Sequence, residues 1–120
     1  MNDEEPVIGV VGPCAAGKST LIAELRSRGY QARHIAQEHS YVQDMWKQIS
    51  NPDILIYLDV CFEISMKRTD SNWSRVIYNN QIQRLVHSKK HANLYISTDD
   101  LSSEQVLELV LKYLQDVVTQ

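Results

Sequence analysis

The octet from Gly12 to Ser19, GPCAAGKS, constrains the fold of this chain more than any other segment. It fits the pattern G-x-x-x-x-G-K-[S/T]. The stretch before it, Pro6 to Val11, is short and apolar and predicts a buried strand. The stretch after it, Lys18 to Arg28, repeats apolar side chains at helical spacing before Gly29, so it predicts a helix. A strand, a glycine-rich turn and a helix N-terminus are therefore expected in direct succession.

This succession predicts a loop that binds phosphate. Backbone N–H groups point into such a turn, and the helix dipole adds partial positive charge. Gly12 and Gly17 permit backbone conformations that other residues avoid. Lys18 is expected to neutralise nucleotide phosphates and to act in catalysis, and Ser19 is expected to ligate Mg²⁺. The predicted nucleotide contacts are Gly12, Pro13, Cys14, Ala15, Ala16, Gly17, Lys18, Ser19 and Thr20.

Length and charge narrow the kind of protein. The 120 residues suit one domain, predicted at 6–120 after a disordered acidic tail at 1–5. The net charge of −3 argues against binding to duplex nucleic acid, which needs a basic face. No run approaches the roughly 20 apolar residues of a membrane span. The acidic start is unlike a signal peptide, so we expect no membrane association and a cytoplasmic location.

The two cysteines, Cys14 and Cys61, lie far apart in the sequence and form no C-x-x-C pair. A metal or disulfide framework built on cysteines is therefore not expected.

Strand and helix patterns alternate along the chain. Ile54 to Val60 is nearly continuously apolar, as a strand buried on both faces should be. The pattern predicts strands at 6–11, 31–37, 54–60 and 94–97, and helices at 18–28, 41–49, 62–68, 73–91 and 103–118. Capping boxes are expected at Ser40 with Gln43 and at Ser102 with Gln105. The predicted fold class is α/β, a three-layer P-loop NTPase fold with a parallel sheet of about four strands flanked by helices.

Two acidic residues compete for the carboxylate contact that Mg²⁺ requires in such sites. Glu38 follows the second strand and reaches Ser19 if that strand lies beside the first. Glu38 would then hold a metal-bound water or act as general base toward an acceptor hydroxyl. Asp59 ends the most apolar strand, a pattern typical of metal-positioning residues. The alternatives are a solvated loop acid for Glu38 and a structural acid for Asp59, and the residues alone leave both open.

Arg68 is the candidate for stabilising charge during phosphoryl transfer, because a planar guanidinium matches a moving phosphoryl group. Arg75 is a further candidate. Arg84 is another candidate, but it stands at the basic end of its predicted helix, and these residues are interpreted as a solvated face. His39 is interpreted as a surface residue, whereas helical spacing predicts that Tyr41 and Trp46 are core residues rather than platforms for a base.

The segment Pro52 to Val60, PDILIYLDV, followed by Glu63 and Arg68, resembles the P-loop nucleoside and nucleotide kinase family, especially its thymidylate-kinase-like members. Tyr95 to Asp99 and the helix beginning at Ser102 are similar to the closing strand and helix of that family. The resemblance implies that Arg68 is a lid arginine and that the loop after the last strand lies against adenine. It also implies that Asp59 belongs to a late strand, which favours Glu38 as the metal-side acid.

The chain also departs from that family. It is shorter, and it has four predicted core strands instead of five. Glu38-His39-Ser40 stands where the family has an acidic residue with an arginine, and the lid between Arg68 and Trp73 is nearly absent.

The resulting hypothesis is a protein that binds Mg-ATP and transfers the γ-phosphoryl group to a small acceptor, with GTP or GDP left open as ligands. A nucleotide-binding sensor without catalysis is the alternative that the short lid favours. A small GTPase ranks last, since no N-K-x-D signature follows a strand. A homodimer that completes the site in trans is left open.

Overall fold

A computed structural model of the chain describes residues 5–69 and 74–118. Its centre is a parallel sheet of four strands in the order β2-β1-β3-β4. The strands are β1 (Val7–Val11), β2 (Gln31–His34), β3 (Ile54–Asp59) and β4 (Leu94–Ser97). The helices are α1 (Lys18–Ser27), α2 (Phe62–Thr69), α3 (Arg75–Arg84), α4 (Val86–His91) and α5 (Ser103–Val118). The predicted α/β class with a four-stranded parallel sheet and flanking helices is confirmed.

The side chains of β3 alternate between two hydrophobic cores, one on each face of the sheet. Ile56 and its neighbours on one face pack with side chains of α1 and α5. Tyr57 on the other face packs with Trp46 and Leu85. Every residue from Ile54 to Leu58 is buried. The continuous apolar run therefore reports burial on both faces, as the sequence predicts.

The second strand ends at His34, three residues earlier than predicted at Gln37. The chain then forms a 3₁₀ turn at Gln37–His39. Gln37 is fully buried, and its side chain bonds the backbone of Trp46, Val42 and Arg84 over 2.8–3.2 Å. These contacts satisfy the buried side-chain amide and hold the 3₁₀ turn against the segment that follows it.

The predicted helix at 41–49 and its capping box are wrong. The Ser40 hydroxyl accepts from the Val42 amide at 3.1 Å, and the Gln43 side chain reaches the carbonyl of Gln83 instead. Only a short π-helical turn forms, at Trp46–Ser50. Trp46 is buried as predicted, whereas Tyr41 is 84% exposed. Ser102 and Gln105, by contrast, form the predicted reciprocal capping box at the start of α5.

The long helix predicted at 73–91 is broken into α3 and α4 at Leu85. Leu85 at the break is buried, whereas Val76 and Ile77 of α3 are exposed. Trp73, at which this helix was predicted to begin, lies outside the described residues. The prediction of one uninterrupted helix is therefore wrong at Leu85, although i→i−4 hydrogen bonds still link this residue to Gln81 and Lys89.

Candidate functional site

The loop between β1 and α1 lies where the order of the sheet reverses. β2 follows β1 on one side of it, and β3 follows on the other side. In open parallel sheets, the crevice at the carboxyl ends of two such strands is the usual ligand site. The loop that carries the octet therefore occupies the position where this architecture binds ligands.

Gly12 is required by a neighbouring strand. Its φ of 152° is unfavourable for other residues, and a Cβ atom there would lie 2.0 Å from the Leu58 carbonyl oxygen of β3. Ala15 and Gly17 also have positive φ, at 69° and 95°. Gly17 stands at the N-cap of α1 with no side-chain cap on the helix. The amides of this helix end therefore keep their attraction for an anion.

Lys18 and Glu38 form a buried ion pair at the mouth of this loop. Their side chains are 6% and 2% exposed. The Lys18 ammonium donates to Glu38 Oε2 and to the Gly12 carbonyl oxygen. Glu38 Oε1 is buried and has no hydrogen-bond partner within the described chain. Glu38 is thus a buried acid beside the octet, and its interpretation as a solvated loop acid is wrong.

Arg84 fixes the backbone of this acid and also supports an exposed aromatic ring. Its Nη1 donates to the Glu38 carbonyl oxygen at 3.2 Å, and its guanidinium lies 4.4 Å from the centre of the Tyr41 ring. A surface cavity of about 250 Å³ opens there. Its lining is Tyr41, Gln43, Asn80, Gln83 and Arg84. The prediction of a core tyrosine is therefore wrong, and Arg84, expected on a solvated face, is half-buried and engaged with Glu38 and Tyr41.

Arg68 joins the loop to the connection between β4 and α5. It donates to the carbonyl oxygens of Ala15 and Thr98, at 2.9 and 2.6 Å, and to the Thr98 hydroxyl at 3.0 Å. A cavity of about 260 Å³ lies beside these contacts. Other residues of its lining are Ala16, Gly17, Thr20, Leu21, Leu101, Ser103 and Val106. Its place between the octet and the last strand is where the resemblance expects a nucleobase.

Arg75 contacts the first two residues of α2. It pairs with Glu63 at 2.9 Å and lies over the Phe62 ring, 4.4 Å from its centre. The backbone amide of Glu63 and the Arg75 side chain hold the pKa of the Glu63 carboxyl below its usual value.

Asp59 is engaged by neighbours at the end of β3. Its carboxylate accepts from the Val60 amide at 3.0 Å and from the Tyr95 hydroxyl at 2.5 Å, and Lys89 lies 3.8 Å away. Burial and the bond to Asp59 raise the pKa of Tyr95 to about 12. The structural interpretation of Asp59 accounts for these contacts, and its metal role stays a prediction.

Three metal-ligating side chains meet beside the loop in a way that the sequence does not reveal. One ligand atom from each of Cys14, Glu38 and His39 lies within 4.8 Å of the other two. Cys14 stands in the octet, whereas the other two come from the turn after β2. No local spacing links them, because the pairing of β1 with β2 brings the two segments together.

No helix among residues 5–69 and 74–118 is both long and apolar enough to span a bilayer.

The architecture and the buried pair define an α/β protein with a candidate anion site at its topological switch point. No protein-family model matches the chain. A protein of Methanococcus aeolicus named probable thymidylate kinase is 35% identical over 78 residues. That match covers 54% of this chain and 40% of the archaeal protein. The similarity supports kinship with nucleotide kinases at the level of a broad family.

Proposed function

We propose that the chain binds Mg-ATP at Gly12–Ser19 and transfers the γ-phosphoryl group to a small acceptor. The observation that carries this proposal is the buried Lys18–Glu38 pair at the mouth of a loop with positive φ angles. A buried cation next to an uncapped helix end is a site for a polyanion. The partial similarity to a thymidylate kinase supports the same reaction class.

The pair suits a change of partner when a nucleotide arrives. A triphosphate is a stronger acceptor for Lys18 than one carboxylate, so the ammonium turns to the β- and γ-phosphates. Glu38 is then left with two buried oxygens, one of which already has no partner. Such a carboxylate needs a donor, which a metal-bound water or an acceptor hydroxyl provides.

Ser19 and, through water, Glu38 are the residues that would hold Mg²⁺. Bound Mg²⁺ neutralises charge on the β- and γ-phosphates. Hydroxyl and carboxylate oxygens are the donors that this ion prefers.

The transfer needs an acceptor oxygen in line with the γ-phosphorus. The acceptor hydroxyl gives its proton to Glu38 if that residue acts as the base, and its oxygen forms the new P–O bond. The bond to the β-phosphate oxygen breaks, and ADP leaves with the electron pair. Lys18 stabilises the negative charge that spreads over the phosphoryl oxygens. Arg68 does the same if its bonds to Ala15 and Thr98 are released.

Two cavities support binding positions for the two substrates. The cavity beside Arg68 and Thr98 suits the nucleobase, since it lies between the octet and the connection that follows β4. The cavity at Tyr41 and Arg84 suits a planar or anionic acceptor, and Arg84 connects it directly to the backbone of Glu38.

Calorimetric titration with Mg-ATP and Mg-GTP tests the site. We expect micromolar binding of ATP, loss of binding in Lys18→Ala, and unchanged binding in Lys112→Ala, which removes an exposed lysine of α5. Equal affinity in the Lys18→Ala variant would contradict the site assignment. A candidate acceptor that increases ADP release would then establish the transfer.

A nucleotide sensor without turnover is the second candidate. Only four positions, 70–73, separate Thr69 of α2 from Ser74 before α3, so the chain offers little material for a closing lid. A lid normally excludes water and completes the charge clamp. Tight ATP binding without acceptor-dependent ADP release would select the sensor. A strong preference for GTP would instead favour a GTPase, and light scattering would decide whether a homodimer forms.

A further inference from the structure

We infer that Cys14, Glu38 and His39 form a binding site for Zn²⁺ that shares Glu38 with the proposed Mg²⁺ site. Their sulfur, oxygen and nitrogen atoms lie within 4.8 Å of one another. Zinc bonds of about 2.0–2.3 Å in a tetrahedron place such donors roughly 3.3–3.8 Å apart. The site therefore needs to contract by about 1 Å, and the His39 side chain, which is 61% exposed, has the freedom to rotate inward.

The donor set selects the metal. Thiolate and imidazole bind Zn²⁺, whereas Mg²⁺ and Ca²⁺ prefer oxygen ligands alone. Glu38 completes the set, and its buried Oε1 has no hydrogen-bond partner within the described chain. His39 Nε2 already lies 3.9 Å from Glu38 Oε2. Lys18 bonds Oε2 of this carboxylate, so Oε1 keeps its lone pairs for a metal.

Gln81 holds Cys14 in position through two hydrogen bonds. The Gln81 amide nitrogen donates to Cys14 Sγ at 3.3 Å, and the Gln81 Oε1 accepts from the Cys14 backbone amide at 3.0 Å. Gln81 itself is buried, so these two hydrogen bonds fix the thiol in place. Hydrogen bonds to ligands of this kind orient them and tune their affinity.

Three protein ligands leave a fourth zinc position open at the mouth of the loop. Zinc at this position engages Glu38, so zinc and Mg-ATP compete for the same carboxylate. This competition rests on the proposed function, whereas the zinc site itself does not.

Titration of the reduced, nucleotide-free protein with Co²⁺ and Zn²⁺ tests the site. We expect a thiolate-to-cobalt charge-transfer absorption that zinc removes. Cys14→Ser should abolish the absorption, and Cys14→Ser and His39→Gln should each weaken zinc binding at least about tenfold. Cys61→Ser and His91→Gln are the matched controls and should leave both signals unchanged.

The site is overturned if the absorption is missing, or if zinc affinity survives Cys14→Ser. It is also overturned if His91→Gln removes zinc binding, which would place the ion at His87 and His91 on α4. Should Cys14→Ser fail to fold, alkylation of the wild-type protein replaces it. Zinc should protect Cys14 from iodoacetamide and leave the rate at Cys61 unchanged, and equal rates at Cys14 with and without zinc would overturn the site.

Adding Mg-ATP separates the two proposals. A weaker apparent zinc affinity in its presence supports both of them. A cobalt absorption that appears normally in a protein without ATP affinity supports the zinc site and refutes the proposed function.

Discussion

At the scale of single residues, Gly12 and Gly29 adopt backbone conformations that residues with a side chain adopt only with strain. Gly12 lies against the β3 backbone, and Gly29 ends the first helix in open space at a φ of 89°. Both are glycines with positive φ, but only one of them contacts another strand. The same substitution at the two sites therefore separates steric contact from backbone strain.

Gly12→Ala should lower the free energy of unfolding by about 3 kcal/mol or more, because the added methyl group overlaps the Leu58 carbonyl oxygen. Gly29→Ala, the control, should cost about 1–2 kcal/mol from its backbone conformation alone. Urea denaturation of both variants measures the difference. Similar losses at the two sites would show that β3 does not restrict the loop as described.

His34 gives the protein a pH dependence near neutrality. Partial burial and the nearby charge of Lys18 lower the pKa of His34 from its ordinary 6.5, so the fold favours the neutral ring. The contribution of His34 to stability is present above the ordinary pKa and is lost as the pH falls through the lowered value. The urea concentration at the midpoint of unfolding should therefore decrease as the pH is lowered below about 6.5.

His34→Gln should make this fall shallower, while His91→Gln, a change at an exposed histidine, should leave it as in the wild type. Urea midpoints in buffer with a chelator measure it. Identical pH profiles for the wild type and His34→Gln would contradict the role of this ring.

At the scale of elements, side-chain bonds decide where helices begin. Ser102 and Gln105 bond reciprocally and start α5, whereas Ser40 and Gln43 have the same spacing and do not. The difference lies in Gln37, whose buried amide holds the backbone between the 3₁₀ turn and Trp46. A tertiary anchor thus overrides a local capping signal.

Gln37→Leu should reduce the free energy of unfolding by about 2–4 kcal/mol, because it leaves the buried Trp46 amide without its acceptor and removes a donor from the Val42 carbonyl oxygen. Gln48→Leu is the control, because it removes an exposed amide that donates to the Asp44 carboxylate. It should change the free energy of unfolding by about 0.5 kcal/mol or less. Urea denaturation compares the two variants. Equal losses would show that the Gln37 contacts do not hold this segment.

At the scale of the whole molecule, strand order creates the site. β1 lies between β2 and β3, so the octet meets the turn after β2 on one side and the end of β3 on the other. Lys18 and Glu38 are brought together by this order. A ligand that bridges these segments should stabilise the entire fold, because it binds the folded chain and not the unfolded one.

Mg-ATP at a hundred times its dissociation constant should raise the free energy of unfolding by about 2.7 kcal/mol. Thermal or urea unfolding with and without nucleotide measures this. Lys18→Ala should lose the effect, and Lys112→Ala should retain it. Stabilisation that is equal in wild type and Lys18→Ala would place the nucleotide elsewhere on the molecule.

The sequence alone predicted features that short segments encode. The continuous apolar run of β3, the capping box at Ser102 and the succession of strand, glycine turn and helix around the octet all follow from local chemistry. Four parallel strands with flanking helices followed from their alternation. In the candidate site, it identified Lys18 and Glu38 and placed Glu38 near Ser19 on condition of the strand order, but it did not predict the contact between Glu38 and Lys18.

Other features of the protein depend on contacts between segments that are distant in the sequence. The periodicity of the sequence did not reveal the early end of β2, the break at Leu85 or the exposure of Tyr41. The meeting of Cys14 with Glu38 and His39 depends on the pairing of β1 with β2. Local patterns report the periodicity of a single element, whereas contacts between distant segments are fixed by how the sheet is ordered and what its faces cover.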